Sequence, residues 1–313
     1  VTGNMVFTAE FGKTAEPQPI TLEEAIWNKG TESIEVSGVG ETAQDDWYIT
    51  FTVTSENETV KTYTVKYSEI KTEANDGSFE VSLGIAADEL RDLGAIKVNA
   101  KYTAVVSEVS SVAVQAWMYF DKNAEDAVWT NGEAPKKLVA LGATIADKVV
   151  GVEQPTRENY GFVGYKADAA GTEIAADAVM TVDEYTAYAA WDADKVLVSF
   201  VAGEGGSLEG AAEVTVDYGT DLKDVTYPAA KAEEGYNFIG WDKEEGAVTE
   251  DITVTASFEK KTYTVTFEVE ANGTLIGEVS ATVEHGDDLS EVEFPTVEAD
   301  HGYKFTGWSQ ESG

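Results

Sequence analysis

The sequence predicts a mostly β chain, and three observations carry that prediction. Polar and apolar residues alternate with a period of two over many short stretches, helix-like patterns are few and short, and one block of the chain recurs at a fixed offset. In "TYTVTFEVE", Tyr263, Val265, Phe267 and Val269 fall on one face, with Thr264, Thr266 and Glu268 on the other. That is the signature of a half-buried strand. The same alternation runs through "DWYITFTVTS", "KTYTVKYSEI", "GSFEVSL" and "IKVNAKYTAVV", where Thr, Val and Tyr favour a pleated surface. Only "LEEAIWN" near residue 25 and "ADELRDL" near residue 90 read as helical, and both are short.

Internal repetition organises the C-terminal part. Phe200, Gly219, Pro228, Tyr236, Phe238, Gly240 and Trp241 recur as Phe267, Gly286, Pro295, Tyr303, Phe305, Gly307 and Trp308, each displaced by 67 residues without a gap. A diverged copy lies upstream in "PTRENYGFVGY", with Pro155, Tyr160, Phe162, Gly164 and Tyr165 in the matching places. Each repeat has the same physical plan. An alternating strand opens it, and a second strand ends at a turn glycine, Gly142, Gly219 or Gly286. A short connection follows, in which "TDLKDVTYP" and "DDLSEVEFP" suggest a helical turn. Proline then forces an extended entry into the aromatic motif. The glycine before the last aromatic lets the chain turn or lets the ring lie close to backbone. A polar turn leads to a closing strand, "VTEDITVTASF" in the second repeat and "TVDEYTAYAAW" in the first.

The third repeat ends as "GYKFTGWSQESG", before any closing strand, while the chain begins "VTGNMVFTAEF". Laid on "VTEDITVTASF" without gaps, the Val, Thr, Thr, Ala and Phe positions coincide. Trp241 and Phe258 are 17 residues apart; the five residues after Trp308 and the eleven of Val1–Phe11 make 16. Joining the end to the start thus rebuilds a repeat to within one residue. Val1, Met5, Phe7, Ala9 and Phe11 are the expected inter-copy strand residues, with Met5, Phe7 and Phe11 in the junction core. Three arrangements fit: one period of a tandem covalent array, a subunit whose first strand completes the preceding subunit, or an excised fragment.

The motif resembles the Listeria–Bacteroides repeats, also called internalin-type B-repeats, carried here by "EEGYNFIGW" with "TVTASF" and by "DHGYKFTGW". The first copy departs from the pattern in having Tyr165 in place of Trp and Gly161 between its aromatics. The resemblance implies small β-grasp-like modules of extracellular, cell-surface proteins, serving as stalk or adhesive spacer with no enzymatic activity. The expected fold is therefore a string of β modules. Residues 1–11 form a closing strand, 12–115 an immunoglobulin- or fibronectin-like β-sandwich, and 116–194 the diverged β-grasp-like repeat. Residues 195–260 form the second repeat, and 261–313 a third lacking its last strand. The repeat core motif comprises Tyr160, Phe162, Gly164, Tyr165, Tyr236, Phe238, Gly240, Trp241, Tyr303, Phe305, Gly307 and Trp308.

Composition narrows the function classes. Acidic residues outnumber basic ones 58 to 21, a formal net charge of -37, which repels nucleic acid and anionic lipid alike. Cysteine is absent, which removes disulfides, thiolate catalysis and Cys-ligated zinc. No run of eighteen apolar residues occurs, so no membrane insertion is expected from this segment.

Catalytic constellations are likewise absent from the sequence. His285 and His301, with Asp287 and Asp300, could be drawn as metal ligands, but each histidine sits beside a glycine in an ordinary loop. Acidic loops such as "EANDG", "WDADK" and "HGDD" lack the ligand alternation of a dedicated calcium loop, so no cofactor is expected beyond incidental calcium. "GEGG" at 203–206 is followed by no P-loop lysine, and no nucleophile elbow accompanies either histidine. Asn57 and Asn272 open Asn-x-Thr sequons. The expected partners are neighbouring copies of the chain, head to tail. In the competing adhesin arrangement, the 12–115 domain recognises a host glycan or surface protein.

Overall fold

Inward-facing residues of the alternating stretches build the core of the first unit. The computed structural model describes residues 18–309 apart from 41–42, 46, 57, 75 and 104–107, and the chain divides into two units at Asp192 and Ala193. The first unit contains β1 (Thr21–Asn28), β2 (Ser33–Val39), β3 (Tyr48–Ser55), β4 (Glu58–Lys66), β5 (Ser78–Gly84), β6 (Ile96–Tyr102) and β7 (Ser110–Ala113). It continues with β8 (Gln115–Asp121), β9 (Lys136–Ala140), β10 (Tyr160–Lys166) and β11 (Tyr185–Ala193). Two single-turn helices, α1 (Tyr67–Ile70) and α2 (Ala87–Leu90), bridge strands. A four-stranded sheet in the order β4-β3-β6-β7 packs against β1-β2-β5. Between them lie Trp27, Ile34, Phe51, Phe79 and Val98, all buried, with Phe51 and Phe79 edge to face at 5.9 Å. These two sheets form the sandwich expected for 12–115.

One sequence expectation is corrected here. "ADELRDL" does form a helical turn, α2, but "LEEAIWN" is strand β1, paired along its length with β2. A register shift between Leu22 and Glu24 is a β-bulge. It lets the helix-like spacing of Leu22, Ala25 and Trp27 bury all three side chains from a strand. Pairing and burial override the helical propensity of Leu-Glu-Glu-Ala.

The sandwich and the first repeat are joined more closely than beads on a string. A single residue, Val114, separates β7 from β8. It is buried, its N–H donates to Ile96 O, and its carbonyl accepts from Leu141 N–H at 2.9 Å. Strand β1 meets β8 in parallel at Ile26 and Gln115, making one seven-stranded sheet in which β9 also pairs with β8. Trp27 Nε1 donates to Val182 O at 2.9 Å. With no linker between them, the two modules share one core cluster reaching from Ile20 to Ala189.

The second unit holds two repeats. Its first comprises β12 (Lys195–Ala202), β13 (Gly206–Glu209), β14 (Glu213–Asp217), β15 (Ala229–Ala232), β16 (Tyr236–Trp241) and β17 (Ile252–Lys260). The sheet order is β14-β12-β17-β16, with β13 and β15 as a separate pair. The first repeat has the same arrangement, β9-β8-β11-β10. In both, the closing strand is an inner strand, running parallel to the opening one. The core of the second repeat gathers Val198, Phe200 and Val254 from the sheet with Leu222 and Val225 from the connection. That connection is the expected helical turn, a 3-10 turn at Leu222–Asp224. Asp221 caps it by accepting from Lys223 N–H, which holds the Asp221 carboxyl below the usual carboxylate range. The last repeat contributes β18 (Thr262–Thr266), β19 (Gly273–Ile276), β20 (Ser280–Glu284) and β21 (Thr296–Ala299).

Two consequences are measurable. The turn glycines Gly142, Gly219 and Gly286 all have positive φ, between 79° and 86°, but only Gly142 is crowded. A Cβ there would lie 2.6 Å from Ala95 N, whereas the other two face open space. Gly219→Ala is expected to cost about 1 kcal/mol for the left-handed backbone alone, and Gly142→Ala about 3 kcal/mol with the steric clash added; denaturant unfolding of each variant checks this. The lowered Asp221 carboxyl makes its contribution to stability fully present above the unfolded carboxylate range of about 4 and lost as pH falls through the folded value. The difference in melting temperature between wild type and Asp221→Ala should therefore be largest near neutral pH and shrink on acidification.

Candidate functional site

Each repeat concentrates its aromatic residues around the end of the motif strand, where glycine breaks the pleat. Pairing of β16 with β17 shifts register between Phe238 and Gly240, and Gly240 has a φ of 136°. Gly164 and Gly307 occupy the same conformation, at 148° and 135°. The bulge turns Trp241 onto Phe200 at 5.6 Å and Tyr227 at 5.2 Å, both edge to face or nearly so. Phe238 touches Trp241 and Phe258. In the first repeat Tyr165 takes the place of the tryptophan, against Phe120 at 4.9 Å and Phe162 at 5.1 Å. Its hydroxyl donates to Glu153 O, and burial pushes its pKa up. These rings pack against each other as core, as their fixed place in the repeat suggests.

The third repeat keeps the aromatic cluster but not the sheet. Phe267 lies 4.9 Å from Phe294 and 5.4 Å from Trp308, and Phe305 lies 5.6 Å from Trp308. Yet Tyr303–Trp308, the counterpart of β16, forms no strand. Tyr303, Phe305 and Trp308 are 61%, 48% and 36% exposed. Strand β18 ends at Thr266, whereas β12 runs three residues further, through the counterparts of Phe267, Glu268 and Val269. Both differences have one cause. In the second repeat Phe200–Ala202 and β16 take their strand partners from β17. Among the described residues, nothing occupies the corresponding place beside β18.

That place has defined features. In the second repeat, Val254 and Ala256 of β17 are fully buried. The Phe258 ring lies so close over Gly206 that a Cβ there would fall 2.1 Å from the ring. Asp251 Oδ1 accepts from Leu197 N–H at 2.8 Å, and Val248 exchanges hydrogen bonds with Gly219 and Thr220. The counterparts in the third repeat are Gly273, Thr264, Gly286 and Asp287. No ring stands within 4 Å of a Cβ placed on Gly273; the nearest atom is Glu298 O. The motif residues were legible in the sequence; Tyr227, Phe294 and the bare Gly273 were not, although the first two stand 67 residues apart and so carried a signal. Val1, Met5, Phe7, Ala9 and Phe11 lie outside the described residues.

The other concave surface belongs to the first unit, a shallow groove of about 560 Å³ lined by Asn28, Glu35, Trp117, Tyr119 and Glu184. Lys136 Nζ sits 4.5 Å over the Trp117 ring, so that face is already covered, and Tyr119 alone offers an open ring. His285 rests against Gly235, with Nδ1 3.3 Å from Tyr263 Oη. Among the described residues, no group of three or more histidines and carboxylates comes together. No helix among them is long and apolar enough to cross a membrane.

Comparison with known proteins places these modules. Residues 196–262 match the divergent InlB B-repeat domain, and residues 263–313 match the Listeria–Bacteroides repeat domain. A protein of Evansella cellulosilytica named "Putative membrane protein" is 32% identical over 193 residues, covering 58% of this chain and 27% of that protein. A second from the same organism, named "Putative Gly-rich membrane protein", is 29% identical over 210 residues, 62% of this chain and 22% of its own length. The chain thus spans about a quarter of the relatives it matches. No solved structure matches it. With their shared 67-residue plan and aromatic bulge, residues 196–313 belong to the Listeria–Bacteroides repeat family, the earlier of the two as a divergent B-repeat.

Proposed function

We propose that this chain is a non-enzymatic structural segment of an extracellular, surface-associated protein, whose modules join head to tail into a stalk or filament. The observation that carries this reading is the open inner-strand place of the third repeat. Its counterpart in the second repeat is filled by residues that lead straight into the next module. β17 ends at Lys260 and β18 begins at Thr262. A strand that fills the third place would likewise lead into whatever follows it. Val1–Phe11 matches the required sequence and leads into the sandwich. In this reading each period is closed by the start of the next, within one polypeptide or between subunits. The family of the repeats and the names of the relatives favour a surface setting. The acidic surface suits modules that must stay apart except at their ends.

A head-to-tail fusion of two copies, Gly313 to Val1, tests the closure. Amides of 262–308 in the leading copy should exchange slowly in the wild-type fusion. Phe7→Asp in the trailing copy places a charge where Val254 is buried; exchange should then accelerate on the order of a hundredfold, with 196–260 unchanged. Equal protection in the two fusions would overturn the reading.

A further inference from the structure

We infer that the third repeat is a strand receptor that works in trans, taking Val1–Phe11 of a second copy without covalent continuity and in a single register. This rests on the closure proposed above and specifies how the partner is recognised. The incoming strand would run parallel to β18 and antiparallel to Tyr303–Trp308, as β17 runs between β12 and β16.

Four positions set the register. Asn4 stands where Asp251 accepts from Leu197 N–H, so its side-chain oxygen would accept from Thr264 N–H. Phe7 takes the buried place of Val254. Ala9 takes that of Ala256, which is fully buried and directly opposite Trp241; in the third repeat it would face Trp308, and a larger side chain would collide with the indole. Phe11 takes the place of Phe258, against Phe305 and over the bare Gly273. A slip by one residue would turn every side chain to the wrong face, placing Thr8 and Glu10 inward. The segment thus carries a small residue, two rings and an amide where the receptor has a wall, two seats and a free-facing edge.

The receptor's one departure from its counterpart yields a sharp expectation. Glu270 stands where the second repeat has Gly203, and a Cβ on Gly203 would come 2.8 Å from Ala256 O. Pairing at Ala9 is therefore held a little open by the Glu270 side chain. Removing that side chain should tighten the complex.

The experiment uses the full chain carrying Phe7→Asp, so that its own first segment does not compete, titrated with a synthetic Val1–Phe11 peptide and followed by hydrogen exchange at 262–269 and 303–308. The peptide should protect both segments. Ala9→Trp or Phe11→Asp in the peptide should weaken binding at least about tenfold, and Glu270→Gly in the chain should strengthen it. No protection by the wild-type peptide would overturn action in trans, and equal binding by the Ala9→Trp peptide would overturn the register. Because the fusion experiment reads closure within one polypeptide, a protected fusion with a silent peptide would separate this inference from the reading it rests on.

Discussion

The fold of each repeat depends on its closing strand, because that strand is last in sequence and inner in space. A strand at the edge of a sheet can be lost with one ladder, but β17 supplies ladders on both sides. On one side it partners the second half of β12, and on the other it is the only strand beside β16. Backbone N–H and C=O groups that lose such partners must turn to water. The third repeat displays the result without any mutation. Its Phe267, Phe294 and Trp308 rings still meet, whereas the backbone on both sides of the open place leaves strand geometry. Ring clustering is therefore local to the motif and its proline-led approach, and sheet formation is not.

The local part of the design is held by backbone conformation. Gly164, Gly240 and Gly307 share one positive-φ geometry although only the first two sit in a paired strand. The turn entering the motif behaves likewise: Gly235 and Gly302 lie at 84° and 92°, and Asn159 of the diverged repeat takes the left-handed region at 61°. Asn is the residue best able to replace glycine there. The amides of Tyr236 and Tyr303 each donate to the carbonyl three residues back. The chain thus reaches the bulge with its aromatics already placed, and an arriving strand meets an organised surface. Ordering less on association is what lets a short segment bind at all.

The sequence shows most where a residue's neighbours in the chain decide its conformation. Period-two alternation located the strands, and the constant offset of 67 residues located the modules, because both patterns record contacts repeated within one unit. It shows least where long-range pairing decides. "LEEAIWN" follows β2 into a strand, and the bulge at Leu22 hides its alternation. The merger of sandwich and first repeat turns on the burial of Val114, a residue whose neighbours give no sign that two modules will share a sheet. The seat at Gly206 was invisible for a similar reason: a glycine in a Gly-rich turn looks like a turn, and only the Phe258 ring above it reveals a packing surface.

An open inner-strand place is hazardous for a protein at high local concentration, since any extended segment can begin to pair with it. The chain's net charge of -37 bears on that hazard. Two like-charged chains approach slowly at low ionic strength, and most of their strands would bring carboxylates against an already acidic edge. Val1–Phe11 carries a single acidic residue, Glu10, and in the register of β17 that residue replaces Ser257, which points away from the fully buried Val254 and Ala256. The other ten residues are uncharged. Repulsion over the rest of the surface and near-neutrality of one segment then act together. The first suppresses indiscriminate pairing, and the second leaves one strand that can enter an apolar place without burying a charge, so the acidity that makes the modules avoid one another also narrows what can join them.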